Sequence, residues 1–513
     1  MNRPKPHRRV VVMTLAVVVL LHLGVADTAV WAQQDALPDT VLATTALPSY
    51  PQLVPASDPS LQPHRQALRD RWRYLDPNGL PVVGYSLLDP YHQNPLKGDF
   101  AVFGQNTFAV LTLLGTPAAL FSSQEGVDPQ FNNRLIGAFE LFNGLTVFKP
   151  KDWSLKGSFQ GVVNRGNNDL EEVELLELFA EARLFDVGDE YYDFASTRVG
   201  LQAFTSDFNG LVFKDLNLGA QLFGEAGSNR YQWALAYFSP RQKTPGGGLT
   251  FDPVDQHVLV GRLVVEDLFK PGFNGLFSVQ ANLDRSVEEA DLTVFYLGFA
   301  SDGHWGRIEI NPAVYLAFGT DDNNPVAGQE TSISAFLAGV ELAYPKGWRT
   351  LRAAVFVASG DDDPDDDTAT GFDSILDNIG LFGGPNSFVI GGGRFGTRPN
   401  SFLPAMRMGT RSNFVNPGMY LFNVGLDAIL TPRLFVQLDA NYFQFFDTAV
   451  LGPDVSKALG YEVNGALRWR VFLNENFVVQ LGGGLFVPQD GGEMFLGNSD
   501  TILTGNVALI ALY

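Results

Sequence analysis

Chemistry in this chain would have to come from arginine and carboxylate groups, because other reactive side chains are scarce. There is no cysteine, which excludes a disulfide framework, a thiolate zinc site and a cysteine nucleophile. The histidines are His7, His22, His64, His92, His257 and His304. His257 follows closely on Asp255, where a rim hydrolase would keep its base, but no serine motif accompanies it, so catalysis is not expected. Arg134, Arg183, Arg198, Arg307, Arg352, Arg468 and Arg470 fall on the polar faces of alternating segments. The guanidinium fork suits carboxylates, and a ladder of such groups would hand an anionic solute from site to site. Glu140, Glu177, Glu181, Asp427, Asp439 and Glu462 fall on the same faces. Pairing across strands, with Arg183 beside Glu181 and Arg468 near Glu462, is therefore equally open. A third cluster is the run DDDPDDD, in which Asp361, Asp363, Asp365 and Asp367 could hold calcium. Its spacing is not that of an EF-hand, and a solvated acidic loop is the competing reading.

The elements that must position these groups are strands. From about residue 100 onward, segments of roughly ten residues alternate polar and apolar, the period of a strand with unlike faces. In 276–284, Phe277, Val279, Ala281 and Leu283 oppose Ser278, Gln280, Asn282 and Asp284. In 461–471, Tyr461, Val463, Leu467, Trp469 and Val471 oppose Glu462, Asn464, Arg468 and Arg470. Strands of this length cross a bilayer when tilted. Connections alternate short (227–230, 301–304, 344–348, 431–432) and long (116–130, 240–256, 360–419), as periplasmic turns and external loops do. The pattern predicts a transmembrane antiparallel β-barrel of about 18 strands over 100–513, all-β, with a long external loop at 360–419. The first strand is expected at 100–115. The last, ending in Tyr513, carries the aromatic end on which barrel-assembly machinery acts.

Composition agrees. The chain is rich in glycine and aromatic residues while only 18% of it is charged, unusual in water and ordinary for a membrane barrel. A net charge of −21 argues against nucleic acid as a partner. Residues 1–32 read as a cleaved signal peptide: a basic head, an apolar run over 10–23, and small residues at Val30 and Ala32. Residues 33–99, rich in proline, read as a periplasmic or lumen-plugging extension. The expected address is the bacterial outer membrane, with lipid and lipopolysaccharide as surroundings.

Three stretches carry a family resemblance: STRVGLQAFTSDFNGLVFKDLNLGAQLFG (196–224), ASGDDDPDDD through GFDSILDN (358–378), and LGYEVNGALRWRVFLNENFVVQLGGGLFVPQDG (459–491). They resemble the alginate-export family of outer-membrane channels. That resemblance implies a barrel of 18 strands with an electropositive passage for an anionic polysaccharide, to which Arg468 and Arg470 would contribute. The expected function is diffusive passage of anionic or polar solutes, an exopolysaccharide among the candidates. The alternative is a plugged barrel that anchors a periplasmic or surface partner.

Overall fold

The computed structural model describes residues 94–513, apart from 105, 124–128, 145–149, 167–168, 188–192, 245–246, 378–385, 391–406, 408–410, 474 and 498. The expected signal peptide (1–32) and nearly all of the expected extension (33–99) lie outside the described residues. The strands in chain order are β1 (Lys97–Phe103), β2 (Thr107–Gly115), β3 (Ala118–Ser122), β4 (Gln130–Asn143), β5 (Trp153–Arg165), β6 (Leu170–Asp186), β7 (Phe194–Thr205) and β8 (Lys214–Ala226). There follow β9 (Tyr231–Ser239), β10 (Arg241–Lys243), β11 (Leu249–Pro253), β12 (Gln256–Val265), β13 (Phe273–Asp284), β14 (Leu292–Trp305), β15 (Ile308–Asp321) and β16 (Thr331–Lys346). The chain ends with β17 (Arg349–Ala358), β18 (Thr368–Ala369), β19 (Met419–Thr431), β20 (Leu434–Gln444), β21 (Ala458–Arg470), β22 (Phe477–Pro488) and β23 (Ile502–Leu512).

These strands form a closed antiparallel barrel of 18 staves. β2 and β3 make one stave, bent at 115–117, and β1, β10, β11 and β18 are accessory. β23 closes the ring on both halves of the bent stave, pairing Leu512 with Leu114 and Val507 with Ala119. Closure leaves no open sheet edge, which hydrocarbon does not tolerate. The first stave therefore runs over 107–122 rather than 100–115. Pro117 removes a ladder donor and splits the stave, which obscures its alternation.

The two faces are inverted relative to a water-soluble protein. On β13, Phe277 and Val279 are 44% and 55% exposed, while Ser278, Gln280 and Asn282 are buried. The same holds on β5, where Leu155 and Phe159 face out and Ser154, Ser158 and Gln160 face in. A continuous outward apolar belt of this kind requires a bilayer as solvent. The protein is a barrel of the bacterial outer membrane.

Of the long connection 359–418, the described residues (359–377, 386–390, 407 and 411–418) do not project outward; they turn into the lumen as a strap. Near its root, Asp361 N donates to Asn416 O (2.8 Å) and Gly371 N to Phe414 O (2.8 Å). Farther in, the amides of Ile375 and Leu376 donate to Val212 O (3.0 Å each), and Lys214 N donates to Leu376 O (2.9 Å). Val212 lies in the β7–β8 loop, almost halfway round the ring from β17 and β19. That loop is itself turned inward because the Asp207 carboxylate accepts from the amides of Asn209, Leu211 and Val212. Buried Phe213, Phe238, Tyr296, Phe372, Phe388, Phe414 and Phe486 pack where the two loops meet the wall. This core inside the barrel gives the strap its stability, since apolar burial drives packing in a lumen as in any interior.

Candidate functional site: the charged lumen wall

Alternation places ionic groups inward on two opposite arcs. The first arc is β4 to β7. Lys156 on β5 pairs with Glu177 on β6 (3.0 Å), and Arg198 on β7 pairs with Glu181 on β6 (2.6 Å). The Arg198 guanidinium also lies over the ring of Phe179 at 4.6 Å. Arg183 pairs with Asp152 and, at 2.8 Å, with Asp186. Lys151 pairs with Glu140. Arg134 is buried on β4. Glu174, also buried, accepts from Gln160 Nε2, Thr244 Oγ1 and Gly248 N, and so pins the 240–255 connection to the wall.

The second arc is β16 to β21. Arg352 on β17 donates through Nε to Asp427 on β19 (2.8 Å) and through Nη2 to Asp439 on β20 (3.1 Å); Glu341 on β16 stands 3.9 Å away. This reach across β19 depends on Gly425. A Cβ there would sit 2.7 Å from Asp439 Oδ1 and 2.8 Å from the Arg352 guanidinium. Asn423 Nδ2 donates to Asn441 Oδ1 (2.7 Å) and Gln437 Nε2 to Asp439 Oδ2 (3.1 Å), so amides knit the carboxylates together. Arg468 and Arg470 share Glu475 of the adjoining turn, Arg468 at 2.6 Å. Glu462 holds the strap: Ser387 Oγ donates to it at 2.7 Å, and so does Phe388 N.

Six of the seven predicted arginines thus lie on inward positions, and Arg307 lies exposed in the 306–307 turn. Their partners differ from adjacent-residue pairing: Glu181 takes Arg198 rather than Arg183, and Arg468 takes Glu475 rather than Glu462. Two buried pairs had no sequence signal, because the strap lacks periodicity. Arg407 donates to Asp373 through Nε (2.9 Å), and Arg411 pairs with Asp321 on β15. Burial pushes the Asp373 carboxyl up to about 6 despite Arg407. It pushes Asp361 up to about 7, against the Asp363 amide and with Asp366 adding to the rise. Among the described residues, no three His, Asp or Glu side chains gather as a metal site would require, around Asp361, Asp363, Asp365 and Asp367 or elsewhere. His257 bonds to the Tyr237 hydroxyl (2.7 Å) and stands 3.8 Å from Asp255.

A closed 18-stave ring with an apolar outside, a charged inside and two inturned loops can be set beside solved structures. Three from Pseudomonas aeruginosa match it over 79% of this chain. The outer-membrane protein OpdK is 11% identical, covered over 98% of its length, with a TM-score of 0.52. OccK2 (OpdF) is 11% identical, covered over 97%, at 0.51. The same barrel in complex with glucuronate is 10% identical, covered over 97%, at 0.50. The fold is that of outer-membrane channels. No family model matches the chain, and no curated protein sequence matches it. The alginate-export resemblance therefore rests on the three stretches quoted above.

Proposed function

We propose that the barrel is a passive channel for small polar solutes, carboxylate-bearing molecules among them. The observation that carries this reading is the inward ionic wall. Arg183, Arg198, Arg352, Arg468 and Arg470 each keep one or more carboxylate partners, so an entering carboxylate exchanges with a protein acid and is held weakly. Conduction needs sites that bind enough to admit and loosely enough to release. Glucuronate in one fold neighbour, a carboxylate, lends this class support. Small solutes suit the lumen better than a polyuronate chain, because the strap crosses it. Neither the wall nor the neighbours point to catalysis, and a diffusive role needs none.

The test is single-channel conductance and reversal potential of the purified barrel in a planar bilayer. Open, weakly selective current is expected, and Arg468→Ser with Arg470→Ser should shift the reversal potential toward cations by leaving Glu475 unpaired. Unchanged selectivity would remove those arginines from the passage. The strap favours a second reading, a closed barrel serving as an anchor. A folded barrel that passes no current would establish that reading and overturn the first.

A further inference from the structure

The rim bearing the short turns carries cations that no carboxylate satisfies. They are Arg230, Lys270, Arg307, Lys346, Arg349 and Arg433, on the consecutive turns 227–230, 266–272, 306–307, 347–348 and 432–433. Among the described residues, none of the six enters an ion pair. On the opposite rim Arg165, Arg285 and Lys457 pair with Glu171, Asp291 and Asp447.

Three of the six stand beside outward aromatics at the edge of the apolar belt. Arg230 lies 5.7 Å from the centre of the Tyr231 ring, Lys270 lies 4.8 Å from that of Trp305, and Arg349 lies 5.7 Å from that of Trp348. Trp305 and Trp348 are 73% and 55% exposed. Among acids on the same hairpins, Asp302, Glu309, Glu341 and Asp427 belong to the inward series, whereas Asp267 stays exposed in the 266–272 turn and accepts from Gly272 N at 2.6 Å. At these hairpins Lys346 and Arg349 alternate to the outward face and Lys270 lies over the exposed Trp305, while the acids named fall mostly on the lumen side.

We propose that this rim is a docking collar for anionic phospholipid headgroups of the periplasmic leaflet. Three facts select that occupant. Long Lys and Arg stems on a belt edge extend their heads to headgroup depth. Guanidinium forks match phosphate oxygens. Unpaired cations at a membrane surface recruit anionic lipid, with each one contributing. The collar runs from β8 to β20 and is independent of whether the lumen conducts.

The test uses the full chain refolded into phosphatidylcholine vesicles containing a minority of phosphatidylglycerol, with one lipid or the other brominated. Tryptophan quenching, referenced to a W305F/W348F variant, reports local lipid. The anionic lipid is expected to be enriched about threefold or more at low salt, to fall toward bulk at high salt, and to be lost in R307Q/K346Q/R349Q/R433Q. The loop-side variant R165Q/R285Q/K457Q should keep the enrichment. Equal quenching by both lipids, enrichment insensitive to salt, or enrichment that survives in the four-site variant would each overturn the collar. Folding is followed by heat-modifiable migration, and the salt series on the native chain decides the matter if the variant misfolds. Loss of enrichment only when a periplasmic extract is added would point to a protein on this rim instead and would also overturn it.

Discussion

Arg407 and Asp373 show how one pair can hold a whole segment. Both are fully buried, and the guanidinium also donates to the carbonyls of Ser374 and Ile375. Removing one partner leaves a buried charge uncompensated, which costs about 3–5 kcal/mol. Arg407→Met should therefore loosen the strap, seen as new protease cleavage within 359–418 of the folded barrel. The double variant with Asp373→Asn should recover most of the protection. Asp361 is a pH-sensitive group of the same segment. Its folded carboxyl is raised to about 7 by burial first and by Asp366 and Asp362 after it, against a few hydrogen bonds. The folded state then holds a proton that the unfolded chain releases near ~3.9. The associated stability is whole below that lower value and is lost as pH rises through about 7. Thermal midpoints should fall between about pH 5 and about pH 8 in the native chain, and Asp361→Asn should flatten that slope.

At the scale of elements, the strap and the β7–β8 loop act as one crosspiece. Phe213 and Leu376 form a parallel bridge inside the lumen. The chain has no cysteine of its own, so Phe213→Cys with Leu376→Cys offers a clean lock. A disulfide should form, since bridge partners lie within its Cα span. Bridged and reduced protein should conduct alike if the crosspiece is the resting arrangement. A rise on reduction would mark the bridge as a closed state. Gly425 is the other element-level device, because its missing side chain is what lets Arg352 on β17 reach Asp439 on β20.

For the whole molecule, the governing fact is the exchange of inside and outside. Leu297, 44% exposed in the middle of β14, rests against lipid rather than protein. Leu297→Arg should destabilise the barrel by about 2–4 kcal/mol, the cost of a midplane charge on the lipid face, measured by denaturant unfolding in vesicles. In a water-soluble sandwich the same change at an exposed site would be nearly neutral.

The alternation of Phe277, Ser278, Val279 and Gln280, repeated from segment to segment, was enough to indicate the barrel and its 18 staves. Period two is a property of the backbone itself, so each strand shows its two faces without its neighbours. The first stave was misplaced because Pro117 interrupts that period. What the sequence could not show was which cation meets which carboxylate. Pairing depends on strand register and on gaps such as Gly425, and both are set between strands. Nor could it show that the described residues of 359–418 turn inward, because a loop with no period gives no face to read. Its direction was decided by apolar side chains, Phe372 and Phe414 finding Tyr296 and Phe388 finding Phe486 on the wall. Those contacts exist only after the ring has closed.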